Sequence, residues 1–284
     1  MMWLRSQREW HHRNTPLSPC RMSIITLTTD FGTRDTFVGQ IKGAILTIAP
    51  QVQIVDLTHK IPPQDVMTAA MALEFATGAF PFGAIHVAVV DPCVGSARAA
   101  IAVQAGPHIF VGPDNGIFTA VLRCKPCPRI VELTNPSYQT NPVSATFHGR
   151  DVFAPAAAHL ANGIAIEQLG ESIELLVTLD IPTPIVTPLG LELRVLHTDR
   201  FGNLITNLTR PAFESWKTPT CHHTVSIVVA GQTIEDIRRT FSDVESGQPL
   251  AYFGSTGRLE VGVRNGNAAQ YLGAGPGDVV LLQQ

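Results

Sequence analysis

Charge is what this chain has least of. Asp, Glu, Lys and Arg together make up 15% of its 284 residues, against the ~25% usual in soluble domains. The 20 basic residues are outnumbered by 23 acidic ones, for a formal net charge of −3. Binding to nucleic acid or to an anionic lipid surface draws on a surplus of positive charge, so neither partner is expected and a small molecule is. Long apolar runs are missing too. The most apolar stretches, 85–90 and 101–103, fall far short of the ~20 residues a spanning helix needs. Despite a mean hydropathy of +0.16 they have the length of buried strands, and no membrane association is expected. Cysteine is scarce and odd in number: Cys20, Cys93, Cys124, Cys127 and Cys221. This pattern fits reduced thiols in a cytoplasmic protein. Cys124-Lys-Pro-Cys127 has redox or zinc spacing, but no second pair follows it, so it reads as a loop. Residues 1–22 carry Arg5, Arg8, Arg13 and Arg21 with Glu9 and no apolar core, which does not resemble a secretory signal and reads as a flexible extension, with a mitochondrial address as the alternative and Met22 as an alternative start.

What is present divides the chain in two. In 23–181, short Val/Ile/Thr-rich runs at 24–29, 53–57, 85–90, 99–104, 108–111 and 130–133 alternate with helical patterns. Phe37, Ile41, Ala44, Ile45 and Ile48 recur at helical spacing up to Pro50, Asp65 stands as a helix cap, and an alanine-rich helix follows Asp151. Alternation of this kind predicts an α/β N-terminal domain with a largely parallel sheet. A proline-rich stretch, 182–189, serves as the linker. In 190–284 short strand-like runs at 191–197, 204–208, 224–229, 250–253, 259–263 and 279–282 lie between Gly, Pro, Asn and Asp breakers, which predicts a C-terminal antiparallel domain, a small β-barrel or a sandwich.

Ligands of open parallel sheets bind outside the carboxyl ends of the strands, and ionisable residues stand there. Asp30 follows the first strand in Thr-Thr-Asp30-Phe-Gly32-Thr-Arg-Asp35, and Asp91 follows the most apolar one in Val-Val-Asp91-Pro-Cys-Val-Gly95-Ser-Ala-Arg98. A third polar cluster, Thr146-Phe-His148-Gly-Arg150-Asp151, opens the alanine-rich helix. Singly, Asp30 or Asp151 could be a turn or cap residue; their convergence at one edge favours a site. No G-x-x-x-x-G-K-[ST] or strand-borne G-x-G-x-x-G occurs, so a phosphate cradle is not expected. Asp30, His59, Asp91, Asp114 and His148 lack metal-ligand spacing.

These motifs, with Gly112-Pro-Asp-Asn-Gly116 between the second and the third and Asp199-Arg-Phe-Gly-Asn203 and Asn265-Gly-Asn-Ala268 after them, resemble the S-adenosyl-L-methionine (SAM) hydroxide adenosyltransferases, relatives of the fluorinating and chlorinating enzymes that use the same substrate. The resemblance spans 24–282. It implies an N-terminal α/β domain with a C-terminal β-barrel, and a homotrimer whose sites lie between the N-domain of one subunit and the C-domain of the next. It implies hydrolysis of SAM to adenosine and L-methionine with no cofactor and no metal, and places the catalytic group on Asp91, Arg98 and His148. By the same resemblance Asp30 meets the ribose hydroxyls and Asp35 the methionine ammonium. Asn203 meets adenine together with the backbone near Gly266, Asn267 and Ala268, Phe201 and Phe241 pack on the adenine faces, and Ser255 meets the methionine carboxylate. Thr256 stands where the fluorinating enzymes have Arg, Gln64 replaces their Trp, and Gly149 takes the place of their halide-site Ser, which disfavours halide as the nucleophile. The rival expectations are a halide-using transferase and a non-catalytic adenosine or SAM sensor.

The chemistry agrees with those residue types. A sulfonium leaves as a neutral thioether, so the departing side requires no acid, and the protein's work falls on holding water in line behind C5′. A His within hydrogen-bond reach can orient or deprotonate that water, and an Arg–Asp pair can favour a hydroxide-like species.

Overall fold

The computed structural model describes residues 23–123, 125, 128–217 and 225–284. The expected extension (1–22), the Cys124 and Cys127 pair and the start of the predicted strand at 224 lie outside the described residues.

The first sheet comprises β1 (Ile24–Thr29), β2 (Gln53–Thr58), β3 (Ile85–Val89), β4 (Ala100–Ala105), β5 (His108–Pro113), β6 (Arg129–Glu132) and β7 (Glu171–Ser172), in the order β2-β1-β3-β5-β4-β6-β7. β1 pairs in parallel with β2 and β3, and β3 with β5. The other half, β5 with β4, β4 with β6 and β6 with β7, is antiparallel. The sheet is therefore mixed, not largely parallel. The reason lies in Gly106-Pro107, the whole connection between β4 and β5, with Gly106 at φ +57. Two residues suffice for a hairpin, and a parallel crossover needs a dozen or more.

Helices cover both faces. On one, Ile25, Leu27, Val87 and Val89 meet Ile41 and Ile45 of α1 (Phe37–Ile48) and the small residues of α4 (Ala154–Ala161). On the other, Ala88, Val90 and Ile101 meet Ala69 and Leu73 of α2 (Val66–Thr77) and Phe118, just before α3 (Thr119–Leu122). β3 feeds both cores because successive residues point to opposite faces, and every one of its residues is buried. Asp65 caps α2 as expected, accepting from the Thr68 amide at 2.9 Å.

The second sheet runs β12-β11-β16-β9-β10-β15-β14-β13, with β8 on the side of β9. Its strands are β8 (Ile185–Thr187), β9 (Gly190–Thr198), β10 (Leu204–Thr209), β11 (Ser226–Val229), β12 (Gln232–Glu235), β13 (Ile237–Arg238), β14 (Pro249–Phe253), β15 (Arg258–Val263) and β16 (Val279–Gln283); α5 (Arg210–Trp216) and α6 (Ala268–Leu272) cross its ends. The two end strands, β12 and β13, are separated along the chain by Asp236 alone, at φ +66. A sheet whose edges are joined by one residue has curled almost onto itself, and the result is a nearly closed, barrel-like sheet. β13 runs parallel to β14, a departure from the purely antiparallel expectation. β8, inside the stretch 182–189, pairs with β9. The two halves meet through Ala70, Met71, Ala120, Ile181 and Leu196 and through buried Arg258, whose guanidinium reaches both Glu74 oxygens at 2.8 Å.

Candidate active site

Thr29 of β1 stands opposite Val89 of β3, so Asp30 and Asp91 leave neighbouring strands at the same edge. The Asn115 amide donates to the Val90 carbonyl at 2.8 Å and fixes the chain just before Asp91. The turn after Asp91 passes Gly95, at φ +80, where a Cβ would lie 2.6 Å from the Ala145 carbonyl oxygen. That close approach brings the loop bearing His148 onto the loop bearing Asp91.

Arg98 links the two. Its Nε donates to both Asp91 oxygens at 3.0 Å, its Nη2 also reaches Asp91, and Nη2 meets His148 Nδ1 at 2.9 Å. Both members of the Asp91–Arg98 pair are nearly buried, and the guanidinium lies over the Phe153 ring. A guanidinium has donors only, so His148 Nδ1 must accept, and the neutral ring carries its proton on Nε2. Burial, then the Arg98 charge, holds the His148 pKa below its ordinary value, against the opposing charges of Asp91 and Asp151. Nε2 has no protein partner among the described residues, and His148 lines the cleft.

Asp151 does not cap the alanine-rich helix. It is fully buried in the middle of a π-helical segment, Gly149–Phe153, that leads into α4. Its carboxylate accepts from Arg150 Nε (2.7 Å) and Nη2 (2.8 Å) and from the Ser144 amide (2.9 Å). The Arg150 hydrogen bonds hold its pKa down. It thereby ties 144 to 151 and sets the course of the segment between, which carries His148.

A cleft of about 430 Å³ opens before this group, walled by Asp30, Gln64, Asp91, Thr146 and His148 on its polar side and by Phe31, Phe37 and Phe147 on its apolar side. Asp30 Oδ2 accepts from the Gln64 amide at 2.8 Å, so backbone, not the Gln64 side chain, meets that carboxylate. Helical spacing alone assigns Phe37 to the core of α1, yet its side chain is 44% exposed. It sits at the first turn of α1 and lines the cleft. Its signal in the sequence was position: an aromatic residue directly after a strand-end polar motif. Asp35 is exposed and does not line the cleft.

The remaining expected site residues gather on the barrel. Asn203 Nδ2 donates to Asp199 Oδ2 at 2.8 Å while Asp199 Oδ1 takes the Asn203 and Phe201 amides. This orients the Asn203 carbonyl oxygen toward Gly262, beside Phe241. Gly202, at φ +86, touches the Asn267 side chain where a Cβ would stand, and Asn267 caps α6, in which Ala268 is buried. Phe201 is 74% exposed. Ser255 is exposed, and neighbouring Thr256 donates to Glu260 at 3.2 Å. None of these barrel residues lines the cleft, whose wall is drawn from 30–149 alone. No group of three or more His, Cys, Asp or Glu placed to hold a metal occurs among the described residues, and no helix among them is long and apolar enough to cross a membrane.

Comparison with known proteins gives the same two-part division. Residues 25–170 match the SAM hydroxide adenosyltransferase N-terminal domain and 193–281 the corresponding C-terminal domain. A (R)-S-adenosyl-L-methionine hydrolase of Thermus thermophilus is 41% identical over 268 residues, covering 92% of this chain and 100% of the relative. One from Salinispora tropica is 40% identical, covering 89% and 95%. The crystal structure of an uncharacterized conserved protein from Thermotoga maritima matches with a TM-score of 0.86 at 33% identity, covering 92% of this chain and all of that one.

Proposed function

The chain belongs to the SAM hydroxide adenosyltransferase family, and we propose that it hydrolyses S-adenosyl-L-methionine to adenosine and L-methionine. The observation that carries this reading is the Asp91–Arg98–His148 chain at the edge of the cleft, with a neutral His148 whose Nε2 proton is free. Water attacks C5′ through oxygen, the C5′–S bond breaks with its electron pair passing to sulfur, and methionine leaves as a neutral thioether. Because Arg98 occupies Nδ1, His148 acts as a donor that holds the attacking oxygen in line. The water's proton passes to solvent as the C5′–O bond forms, while Asp91 holds Arg98 in place against His148. Asp30 takes the ribose hydroxyls, since an ionised carboxylate has acceptor sites to spare beyond the Gln64 amide. No metal or other cofactor is assigned to the reaction. The names of both hydrolases cited above specify the (R) form of the substrate, and the same sulfonium epimer is proposed here.

Asn203, Phe201, Phe241, Asn267, Ala268 and Ser255 are proposed to close the site from a neighbouring copy in a homotrimer. The exposure of Phe201 and the confinement of the cleft wall to 30–149 support this. Asp35 is assigned to the methionine ammonium in that assembly. The domain boundary is placed in 182–189 and the protein in the cytoplasm.

Incubation of purified protein with separated (R) and (S) epimers in the presence of a chelator, followed by chromatography, tests the reaction. Adenosine and methionine are expected, faster from the (R) form; binding without adenosine would favour a sensor. Added chloride is expected to yield no 5′-chloro-5′-deoxyadenosine. Light scattering is expected to give three times the 30.6 kDa chain mass.

A further inference from the structure

The apolar wall of the cleft has a construction the reaction as described does not use. Phe31, Phe37 and Phe147 form a closed triangle, with ring centroids 5.8, 6.0 and 5.4 Å apart and their planes tilted or edge-on. The back of Phe147 is taken by the Arg150 guanidinium, 5.1 Å from the ring centroid. Beneath the triangle lies Gly149, where a Cβ would stand 3.2 Å from Ile41 Cδ1, 3.4 Å from Phe147 and 3.6 Å from Phe31. The absence of a side chain lets the rings close over helix α1. Phe31 and Phe147 pack on their inner side against the core of the first sheet, yet all three residues line the cleft that holds Asp30, Asp91 and His148.

Resting on the hydrolase reading above, we propose that Phe31, Phe37 and Phe147 form the subsite for the substrate's sulfonium and its methyl group. The carboxylates in the cleft wall are engaged elsewhere, Asp91 by Arg98 and Asp30 by the Gln64 amide and the ribose. A sulfur cation entering beside them finds its counterpart in ring faces and edges, as quaternary ammonium groups do in aromatic cages. The positive charge declines as the C5′–S bond breaks, so the rings hold the ground state more than the transition state, and losing one raises KM without lowering kcat. They also distinguish the charged substrate from its uncharged thioether analogue and from the product adenosine, which lacks sulfur.

Phe37 is the ring to change, because it is the most exposed of the three and buries little of the core. Phe37→Leu keeps an apolar side chain and removes the ring; Phe37→Tyr keeps a ring. The readouts are kcat and KM for S-adenosyl-L-methionine and the inhibition constants of S-adenosyl-L-homocysteine and adenosine. In Phe37→Leu, KM is expected to rise roughly three- to thirty-fold, the range of a cation–π contact from exposed to desolvated. The rate constant kcat should not fall, both inhibition constants should stay within about two-fold, and Phe37→Tyr should restore KM. A KM unchanged in the Leu variant overturns the proposal, and so do inhibition constants that rise in step with KM, which would mean general damage to the cleft. If the wild-type chain releases no adenosine, the hydrolase reading falls; calorimetric affinities of the same three molecules then decide the subsite by itself, and equal losses for charged and uncharged ligands in Phe37→Leu overturn it.

Discussion

His148 meets the cleft as a hydrogen-bond donor, and this sets what its replacements do. His148→Ala removes the group that holds the nucleophile and is expected to lower kcat by about 10²–10⁴-fold, the range for one positioned proton-transfer or orienting side chain. Asn carries a donor amide of similar reach, so His148→Asn should recover part of that loss; an Asn variant as slow as Ala would point instead to His148 as the base. Protonating His148 puts a second donor at Nδ1 against Arg98, so activity should fall on the acid side, at a pH below the ordinary histidine value because burial and Arg98 hold the pKa down. A kcat profile against pH checks the direction. Arg98→Lys keeps the charge but cannot grip both Asp91 oxygens and His148 at once, and should approach the Ala variants in rate. Asp30, Asp91 and His148 were legible from residue type and place, as ionisable groups at strand ends and at the opening of a helix. The position of Arg98 between them was not, because nothing in a spacing of seven residues shows that the chain turns back at Gly95.

Elements decide whether those residues meet. The segment from Ser144 to Asp151 is held at its two ends by one carboxylate, and Gly149 inside it leaves room for the rings beside it. Asp151→Ala leaves the half-buried Ser144 amide without its partner, at a cost of about 0.5–1.5 kcal/mol for an ordinary hydrogen bond. The free loop should also lower kcat with little change in adenosine affinity. Denaturant unfolding and kinetics on the same sample separate the two effects. Gly149→Ser must push Ile41 or Phe147 aside by a few tenths of an ångström, and should raise KM without creating halide transfer. Chloride-dependent product in this variant would show that the single side chain selects the nucleophile. At this scale the sequence was legible where the pattern is long. β1, α1, α2 and β3 appear close to their expected bounds. The mixed character of the sheet hid in Gly106-Pro107, and β12 and β13, with four and two residues, are too short for alternation to register.

Across the whole molecule, pattern reasoning gave the division into an α/β half and a β half. It could not show the closure of the second sheet, which depends on a single left-handed residue at Asp236 joining its two edges. The α/β core also carries a histidine as interior filling. His86, inside β3 and wholly buried, bonds through Nδ1 to Thr26 Oγ1 at 2.8 Å, stacks on Phe110, and lies 4.9 Å from the His108 ring. Burial above all, then the neighbouring charges of His108 and Lys125, lowers its pKa to about 3. The ring is therefore neutral in the folded chain over a range where the unfolded chain takes up a proton. A folded pKa below the unfolded value of about 6.5 leaves stability untouched above pH 6.5 and removes it progressively as pH falls toward 3. At 1.36 kcal/mol per unit, the loss from this residue reaches about 3 kcal/mol by pH 4, a large share of the ~5–15 kcal/mol that holds a typical domain. His108, its own pKa lowered by burial, adds in the same direction. Urea unfolding of the α/β half at pH 7 and pH 4 should therefore show a marked drop in midpoint, and His86→Leu, which has nothing to protonate, should drop less. An equal drop in both proteins would mean that the acid sensitivity arises elsewhere, in the carboxylates of the ion pairs, and that the buried ring is a passive part of the core.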